Sequence, residues 1–191
     1  DLIGSIKNKQ NGKILYLHAR EIIERLGDSS LDIGFSGFDL LKESGINVQN
    51  KINVAKKLNF GRANLVVAIP DPWIDVQTIA DLEEIAFEFR DKKKKRIRVA
   101  TKYPNLTKDF LFSKGVTQFR LVESLGATEA YPFTGSAELI TDITSTGETL
   151  KANNLRILKD GEILRSQACI LSSKKNVKKK RLNNLIKLLS K

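Results

Sequence analysis

The stretch from residue 142 to residue 149 contains the side chains that a phosphorylated sugar would need. Around its glycine, three hydroxyl groups could donate to an anion: Ser145, Thr146 and Thr149. Gly147 lets the backbone approach a phosphate closely, because it has no Cβ. Asp142 is acceptor-only when ionised, so it could take both hydrogens of a vicinal diol. A diol next to a phosphate is the pattern of a ribose 5-phosphate.

The sequence on either side predicts the elements that would hold this loop. Leu139, Ile140 and Ile143 predict a strand before it, and residues 150–152 favour a short helix after it. Asn153-Asn154 is expected to end that helix, because asparagine tolerates the left-handed conformation. Backbone N–H groups and the dipole at a helix N-terminus favour an anion. The alternative is an ordinary loop whose hydroxyls bond to their own backbone.

The rest of the chain is read as alternating strands and helices, which indicates an α/β fold. Strands are predicted at 13–17, 31–36, 65–69, 97–100, 119–122, 155–158 and 167–171. Helices are predicted at 19–26, 40–44, 76–90, 107–114 and 178–189, with a turn at 159–161. The first strands and helices suggest a parallel βαβ pattern, and strand 65–69 is expected to be buried on both faces. Asp39, in a turn after a strand, either binds a ligand or caps the next helix.

Composition restricts the classes of function. The net charge is +11, but residues 92–98 and 174–191 contain fourteen cations and no anion, so the remainder is −3. Neither segment has an aromatic residue for stacking, so we expect solvated faces and no nucleic-acid partner. No apolar run approaches the ~20 residues of a membrane helix, so we expect no membrane partner. One cysteine, Cys169 in an apolar run, fits a buried thiol in a reducing, cytoplasmic compartment.

Five segments, in this order, resemble one family, the ATP phosphoribosyltransferases, which are the first enzymes of histidine biosynthesis. They are residues 31–39, 58–62, 99–106, 122–129 and 142–150, and the resemblance covers nearly the whole chain. It implies an α/β fold with two lobes resembling type II periplasmic binding proteins and an active site in the interlobe cleft. Lobe I would comprise 1–64 plus 173–191, and lobe II would comprise 65–172 with the phosphoribosyl pyrophosphate loop.

The resemblance also implies the reaction and its residues. Phosphoribose would pass from phosphoribosyl pyrophosphate to N1 of ATP, and Mg²⁺ would neutralise the leaving pyrophosphate. The implied phosphoribosyl pyrophosphate site comprises Asp142, Ile143, Thr144, Ser145, Thr146, Gly147, Glu148 and Thr149. The implied ATP site comprises Asp39, Arg62, Tyr103, Pro104 and Glu129. No side chain is assigned to the metal with certainty.

Two departures from the family pattern and one inferred partner complete these expectations. Residues 1–12 do not match the family's Pro-x-Lys-Gly-Arg type segment, and the chain has no methionine, so we expect it to begin inside a longer protein. Asn153-Asn154 stands where the family usually has Asn-Gly. The family has a short form that associates with a histidyl-tRNA-synthetase-like regulatory subunit, and the chain resembles that form. We therefore expect a hetero-oligomer, and no inhibition of the isolated chain by histidine.

A different class of function remains open on the same fold. A solute-binding or sensor module could have the same two lobes, since fold alone does not decide function. Such a module would lack the combination of a diol acceptor and a phosphate loop, which the sequence contains at 142–149.

Overall fold

The computed structural model describes residues 2–5, 13–176 and 180–189, and divides the chain into two units. The strands are β1 (Leu2–Ser5), β2 (Lys13–Tyr16), β3 (Ile33–Gly37), β4 (Ile52–Lys57), β5 (Ala63–Pro70), β6 (Ile97–Thr101), β7 (Phe119–Glu123), β8 (Leu139–Thr144), β9 (Leu155–Ser166) and β10 (Ala168–Ser173). The helices are α1 (Ala19–Gly27), α2 (Phe38–Glu43), α3 (Ile46–Gln49), α4 (Ile79–Lys93), α5 (Pro104–Ser113), α6 (Glu148–Ala152) and α7 (Lys180–Leu189), with a 3₁₀ turn at Thr128–Ala130.

The first unit, Asp1–Phe60 with Gln167–Lys191, contains a three-stranded sheet in the order β3-β10-β4. Both pairs are antiparallel, so the predicted parallel βαβ arrangement is wrong for this unit. The reason is long-range: β10 comes from the far end of the sequence and lies between the two earlier strands. Helices α1 and α2 cover this sheet with an apolar cluster that includes Leu26, Leu41 and Leu171.

The second unit, Gly61–Ser166, contains a five-stranded sheet in the order β7-β6-β8-β5-β9. Strand β6 is parallel to β7 and β8, whereas β5 is antiparallel to β8 and β9. Apolar clusters cover the sheet on two faces, one containing Val67 and Ile69 and the other containing Val66 and Ala68. The predicted burial of strand 65–69 on both faces is confirmed, since its residues are at most 3% exposed.

The boundary between the units differs from the predicted one. The predicted lobe II ended at residue 172, whereas the second unit ends at Ser166. Strand β10 belongs to the first unit because it pairs there with β3 and β4. The sequence gives no local sign of this assignment, since an apolar strand such as β10 suits either sheet. The predicted active-site cleft stays a prediction.

Several elements differ from those that the sequence predicts. Strands β1 and β4 and helix α3 are not predicted; in β4, Asn53 and Lys56 interrupt the hydrophobic pattern. The predicted turn at 159–161 is wrong, because β9 continues through it with register shifts against β5. There the carboxylate of Asp160 accepts the backbone N–H of Ile79 at 2.8 Å. Asp160 therefore supports the start of α4, where Thr78 and Asp81 also form a capping box.

The predicted tail helix is present as α7, while residues 177–179 and 190–191 lie outside the described residues, as do most of residues 1–12. Leu182 is buried, Leu185 and Ile186 are half-buried, and Leu189 is exposed. Among the helices of the described residues, none has the length and apolar character needed to span a bilayer. The cytoplasmic location stays a prediction.

Candidate functional site

The 142–149 loop has the predicted local structure of strand, loop and short helix. Strand β8 ends at Thr144, and α6 starts at Glu148. Gly147 between them has a φ of 80°, a left-handed conformation that a side chain with a Cβ rarely adopts. Asn154, after the helix, has a φ of 52°, as its residue type predicts. Glycine is therefore required for the conformation of the loop.

Two hydroxyl groups of the loop accept hydrogen bonds from its own backbone, and their hydrogens remain available to a ligand. Thr144 Oγ1 accepts the N–H of Gly147 at 2.9 Å, and Thr146 Oγ1 accepts the N–H of Glu148 at 3.3 Å. This much agrees with the alternative of an ordinary loop. A hydroxyl that accepts through a lone pair still has its own hydrogen to donate. Since Ser145, Thr146 and Thr149 are exposed, their donors can reach a ligand in solvent.

Helix α6 has five residues, and this limits what its dipole adds. The dipole effect comes from aligned peptide units and acts within the terminal turn. A helix of little more than one turn contains few aligned peptide units, so its dipole is small. The discrete donors of the loop are therefore the main source of any affinity for an anion.

Asp142 lies half-buried near the end of β8, and one of its carboxylate oxygens already accepts a hydrogen bond. Its Oδ1 accepts the N–H of Ile143 at 2.9 Å. Burial raises the pKa of this carboxyl, and the charge of Glu129 raises it further, while the Ile143 N–H and Lys102 partly oppose them. Lys102 is a functional candidate that sequence reasoning missed. The sequence feature that could have identified Lys102 is its position next to Tyr103, in the segment that follows β6.

Strand register brings most of the predicted site residues to one edge of the second unit's sheet. The parallel strands β6, β7 and β8 end at this edge. Antiparallel β5 begins there, since Asn64 pairs with Thr144. The segments attached at this edge therefore include four predicted groups: Arg62 before β5, Tyr103-Pro104 after β6, Glu129 after β7 and the 142–149 loop. Ligands of α/β sheets bind at such an edge.

A buried cluster of three threonine hydroxyls connects the elements at this edge, and no sequence pattern predicts it. Thr101 on β6, Thr107 on α5 and Thr141 on β8 lie within 2.6–3.1 Å of one another. All three side chains are at most 1% exposed. Thr101 Oγ1 also accepts the backbone N–H of Tyr103 at 2.9 Å. The cluster therefore fixes the segment that follows β6 relative to the strand that holds Asp142.

The predicted ATP-site residues differ in how far they reach solvent. Arg62 and Pro104 are exposed and Glu129 is half-buried, so each could contact a ligand. Tyr103 is 6% exposed, and its ring offers a ligand little surface. Pro104 begins α5, which starts three residues earlier than predicted because proline suits the first helical position.

Asp39 belongs to the first unit and is not brought to this edge by strand pairing. It is 7% exposed within α2, where it is the second residue. The N-cap position is taken by Gly37, so the predicted capping role of Asp39 is wrong. A Cβ added to Gly37 would lie 2.3 Å from Asp39 Oδ1, so a side chain at position 37 would displace this carboxylate. Its role in ATP binding stays a prediction.

No resident metal cluster is visible in the part of the chain that the structure describes. Within residues 2–5, 13–176 and 180–189, no three His, Cys, Asp or Glu side chains are grouped so that they could hold an ion. Cys169 is buried in the first unit's core, as its apolar neighbours predict. Burial raises the pKa of its thiol, so it stays protonated near neutral pH.

Comparison with known sequences gives one consistent family. The sequence model of the ATP phosphoribosyltransferase family matches residues 18–191. An ATP phosphoribosyltransferase from Nitrobacter winogradskyi is 49% identical over 174 residues, covering 91% of this chain and 54% of the relative. One from Brucella melitensis is 45% identical over 181 residues, covering 94% and 78%. The chain thus spans about half of the first relative's length and about three quarters of the second's.

Comparison with solved structures supports the fold. The ATP phosphoribosyl transferase (HisG:HisZ) complex from Thermotoga maritima matches with a TM-score of 0.74 at 24% identity, covering 100% of this chain and 84% of that one. The arginine-bound form of ArgBP from the same organism matches with a TM-score of 0.54 at 12% identity, covering 93% and 76%. Matches at these identities establish a two-lobed fold like that of periplasmic binding proteins.

Proposed function

Because the chain belongs to the ATP phosphoribosyltransferase family, we propose that it transfers phosphoribose from phosphoribosyl pyrophosphate to N1 of ATP. The products are phosphoribosyl-ATP and pyrophosphate, the first step of histidine biosynthesis. The observation that supports this most is the exposed hydroxyl loop after β8, with Asp142 near the end of that strand. It combines an acceptor for a diol with donors for a phosphate.

The chemistry in this proposal is a displacement at the anomeric carbon of the ribose. Adenine N1 uses its lone pair to form the new bond, while the bond to the pyrophosphate oxygen breaks and that oxygen keeps the electron pair. No side chain has to act as the nucleophile, so the protein contributes chiefly by positioning the two substrates. Fixed donors also stabilise the charge that develops in the transition state.

The loop binds the phosphoribosyl group in this proposal. Asp142 has one oxygen bonded to Ile143 N–H and uses its other oxygen for the ribose hydroxyls. The 5-phosphate takes the hydroxyls and backbone N–H groups of the loop from Thr144 to Thr149. Glu148 contributes through its backbone, since its carboxylate would repel the phosphate. Each bond to a charged group contributes ~1.5–3 kcal/mol.

The ATP site takes the residues attached to the same edge of the second unit's sheet. Arg62 supplies a charged donor for the polyphosphate, and Pro104 supplies an apolar surface for the nucleotide. Tyr103, being buried, acts mainly by positioning Pro104 through the Thr101 hydroxyl. Glu129 and Asp39 are kept as candidate nucleotide ligands.

Magnesium would enter this site bound to the phosphates of the substrate. Mg²⁺ commonly binds one or two carboxylates together with substrate phosphates, and keeps several waters. Glu129 is half-buried at the same edge and could supply one such carboxylate, since both oxygens of Asp142 are assigned elsewhere; no cage of three His, Cys, Asp or Glu side chains is present among the described residues. When bound, the ion neutralises charge on the departing pyrophosphate.

The proposed partner is a separate regulatory subunit. The solved Thermotoga maritima relative is described as a HisG:HisZ complex, and this motivates the same association here. We expect a histidyl-tRNA-synthetase-like subunit to form a hetero-oligomer with this chain and to transmit inhibition by histidine. Such coupling is typically ~1–3 kcal/mol. Size-exclusion chromatography of the mixture tests the association, and saturable histidine binding by the isolated chain would contradict this arrangement.

The solute-binding alternative is less well supported. The structural matches named as binding proteins of transporters, as ArgBP or as a sensor domain are 10–15% identical to this chain, so they bear on the fold alone. The sequence relatives at 45–49% identity are named as transferases.

A steady-state assay tests the proposed function. The chain is incubated with ATP, Mg²⁺ and phosphoribosyl pyrophosphate, and phosphoribosyl-ATP is measured against released pyrophosphate. We expect the two in a one-to-one ratio. Thr146→Val should raise the KM for phosphoribosyl pyrophosphate about tenfold or more, and the matched Thr146→Ser should restore it, because the hydroxyl returns. An unchanged KM in Thr146→Val would remove the phosphate assignment.

A further inference from the structure

A basic cavity of about 630 Å³ lies in the second unit, away from the 142–149 loop. Five cations line it: Lys93, Lys95, Arg96, Arg98 and Arg120. Phe89 and Glu138 complete the lining described for it. Its volume is in the range of ordinary ligand pockets.

Strand register places this cavity at the opposite edge of the sheet. Arg98 and Arg120 are register partners near the start of β6 and β7. Register partners on parallel strands point to the same face, so both side chains line one wall. Thr101 lies three positions after Arg98 along β6, which is a distance of about 10 Å at ~3.3 Å per residue. The basic cavity is therefore distinct from the loop edge, where the family's substrates are proposed to bind.

The single acid of the cavity is already neutralised. Arg98 Nη2 donates to Glu138 Oε1 at 2.6 Å, and its Nε lies 3.1 Å from both carboxylate oxygens. The backbone N–H of Arg98 donates to Oε2 at 2.6 Å. Burial raises the pKa of Glu138, but these bonds and the Arg98 charge outweigh it and lower the pKa overall. Glu138 therefore stays ionised and balances Arg98.

The remaining four cations give the cavity a net positive charge. Among the ion pairs of the described residues, none involves Lys93, Lys95, Arg96 or Arg120. The Lys93 charge also acts on Glu138, but four cations still exceed the one acid. An excess of one sign raises the local concentration of anions, and most strongly in a concave site. Arginine adds a planar fork of donors that matches the geometry of phosphate oxygens.

The aromatic residue of the cavity limits the class of ligand. Phe89 packs against the core cluster of the unit, and Lys93 Nζ lies 4.3 Å from its ring centroid. The apolar core and the Lys93 side chain thus cover most of the Phe89 ring, so little of the ring is left for a nucleobase to stack on. Recognition in this cavity rests on charge and donor geometry.

We propose that this cavity is a second anion site that binds a short phosphoanhydride chain, with Arg96 and Arg120 as its principal ligands. Lys93 and Lys95 add charge at its rim. Binding there does not require the 142–149 loop, and it takes no part in the proposed transfer reaction.

Calorimetric titration with inorganic tripolyphosphate tests this proposal, with three variants at fixed ionic strength. Arg96→Gln/Arg120→Gln removes the two guanidinium groups, and Lys174→Gln/Lys175→Gln removes the same charge from exposed positions of the other unit. Thr146→Val marks any binding at the loop. We expect Arg96→Gln/Arg120→Gln to weaken one binding event at least tenfold, while that event persists in the other two variants. Sulfate, which lacks the chain, should bind at least tenfold more weakly.

Two results would overturn the proposal. Equal weakening in both charge variants would mean that tripolyphosphate responds to net charge alone. Loss of all binding in Thr146→Val, with none lost in Arg96→Gln/Arg120→Gln, would place the anion at the loop. Circular dichroism verifies that each variant is folded. Turnover of Arg96→Gln/Arg120→Gln should equal that of the unaltered chain. Turnover and tripolyphosphate binding are measured independently, so failure of the proposed reaction is distinguished from failure of the second anion site.

Discussion

Replacing Asp142 by asparagine changes the charge of the site while preserving its shape. Asp142 is half-buried, and its Oδ1 is held by the Ile143 N–H at 2.9 Å. An asparagine that keeps this bond with its oxygen turns an NH₂ group toward the sugar hydroxyls. The variant therefore loses at least one hydrogen bond to a charged acceptor. That loss is ~1.5–3 kcal/mol, or about a 10- to 150-fold weaker affinity for phosphoribosyl pyrophosphate.

The same variant has an opposite effect on stability. The pKa of Asp142 is raised above its ordinary value of 3.8, chiefly by burial, so the folded protein binds the proton more tightly than the unfolded chain does. Stability contributed by this group is therefore present below the ordinary value and is lost as pH rises through the raised one. Asparagine does not ionise, so Asp142→Asn should gain stability relative to the unaltered chain as pH rises through that interval.

Two measurements on the same protein follow both effects. Calorimetry gives the affinity for phosphoribosyl pyrophosphate with Mg²⁺, and urea unfolding at several pH values gives the stability. Asp71→Asn is the matched control, because Asp71 is exposed and lies at the other end of β5. An Asp142→Asn protein with unchanged affinity, or with affinity lost in step with stability, would refute the assignment of this carboxylate to the ribose.

Three further predictions concern other residues of the second unit. Thr101→Val removes the acceptor of the Tyr103 N–H and breaks the buried hydroxyl cluster, so urea unfolding should show a loss of ~1–3 kcal/mol, whereas Thr101→Ser should lose less. Gly147→Ala should lower the free energy of unfolding by ~1–2 kcal/mol and weaken phosphoribosyl pyrophosphate binding in calorimetry. The cause is the φ of 80° and not a steric clash, since the nearest atom to an added Cβ is 3.6 Å away. Normal binding by this variant would contradict the prediction. Replacing all four lysines at 92–95 by serine should leave turnover nearly unchanged in the steady-state assay, because these exposed charges lie at the opposite edge of the sheet from the loop; a large loss would show that they reach the substrates.

Local pattern predicted the elements whose structure is decided within a few residues. The apolar strand β5, the loop around Gly147 and the left-handed Asn154 all follow from residue type and hydrophobic period. What could not be predicted depends on distant partners. Strand β10 could lie in either sheet until its pairing with β3 and β4 is known.

The candidate site shows the same limit at the level of single side chains. Asp160-Gly161 has the composition of a turn, yet the Asp160 carboxylate binds an N–H 81 positions away. The hydroxyls of Thr101, Thr107 and Thr141 meet only because β6, α5 and β8 come together. Sequence patterns identify the groups that can do chemistry, whereas the contacts that hold those groups in place are set by tertiary packing.

A crystal structure of the chain with phosphoribosyl pyrophosphate and Mg²⁺ tests the proposed substrate site most directly. We expect the 5-phosphate within hydrogen-bonding distance of the hydroxyls and N–H groups of the 142–149 loop, and the ribose hydroxyls on the free oxygen of Asp142. A sugar phosphate bound elsewhere in the second unit, with this loop unoccupied at saturating substrate, would contradict the proposed role of the loop.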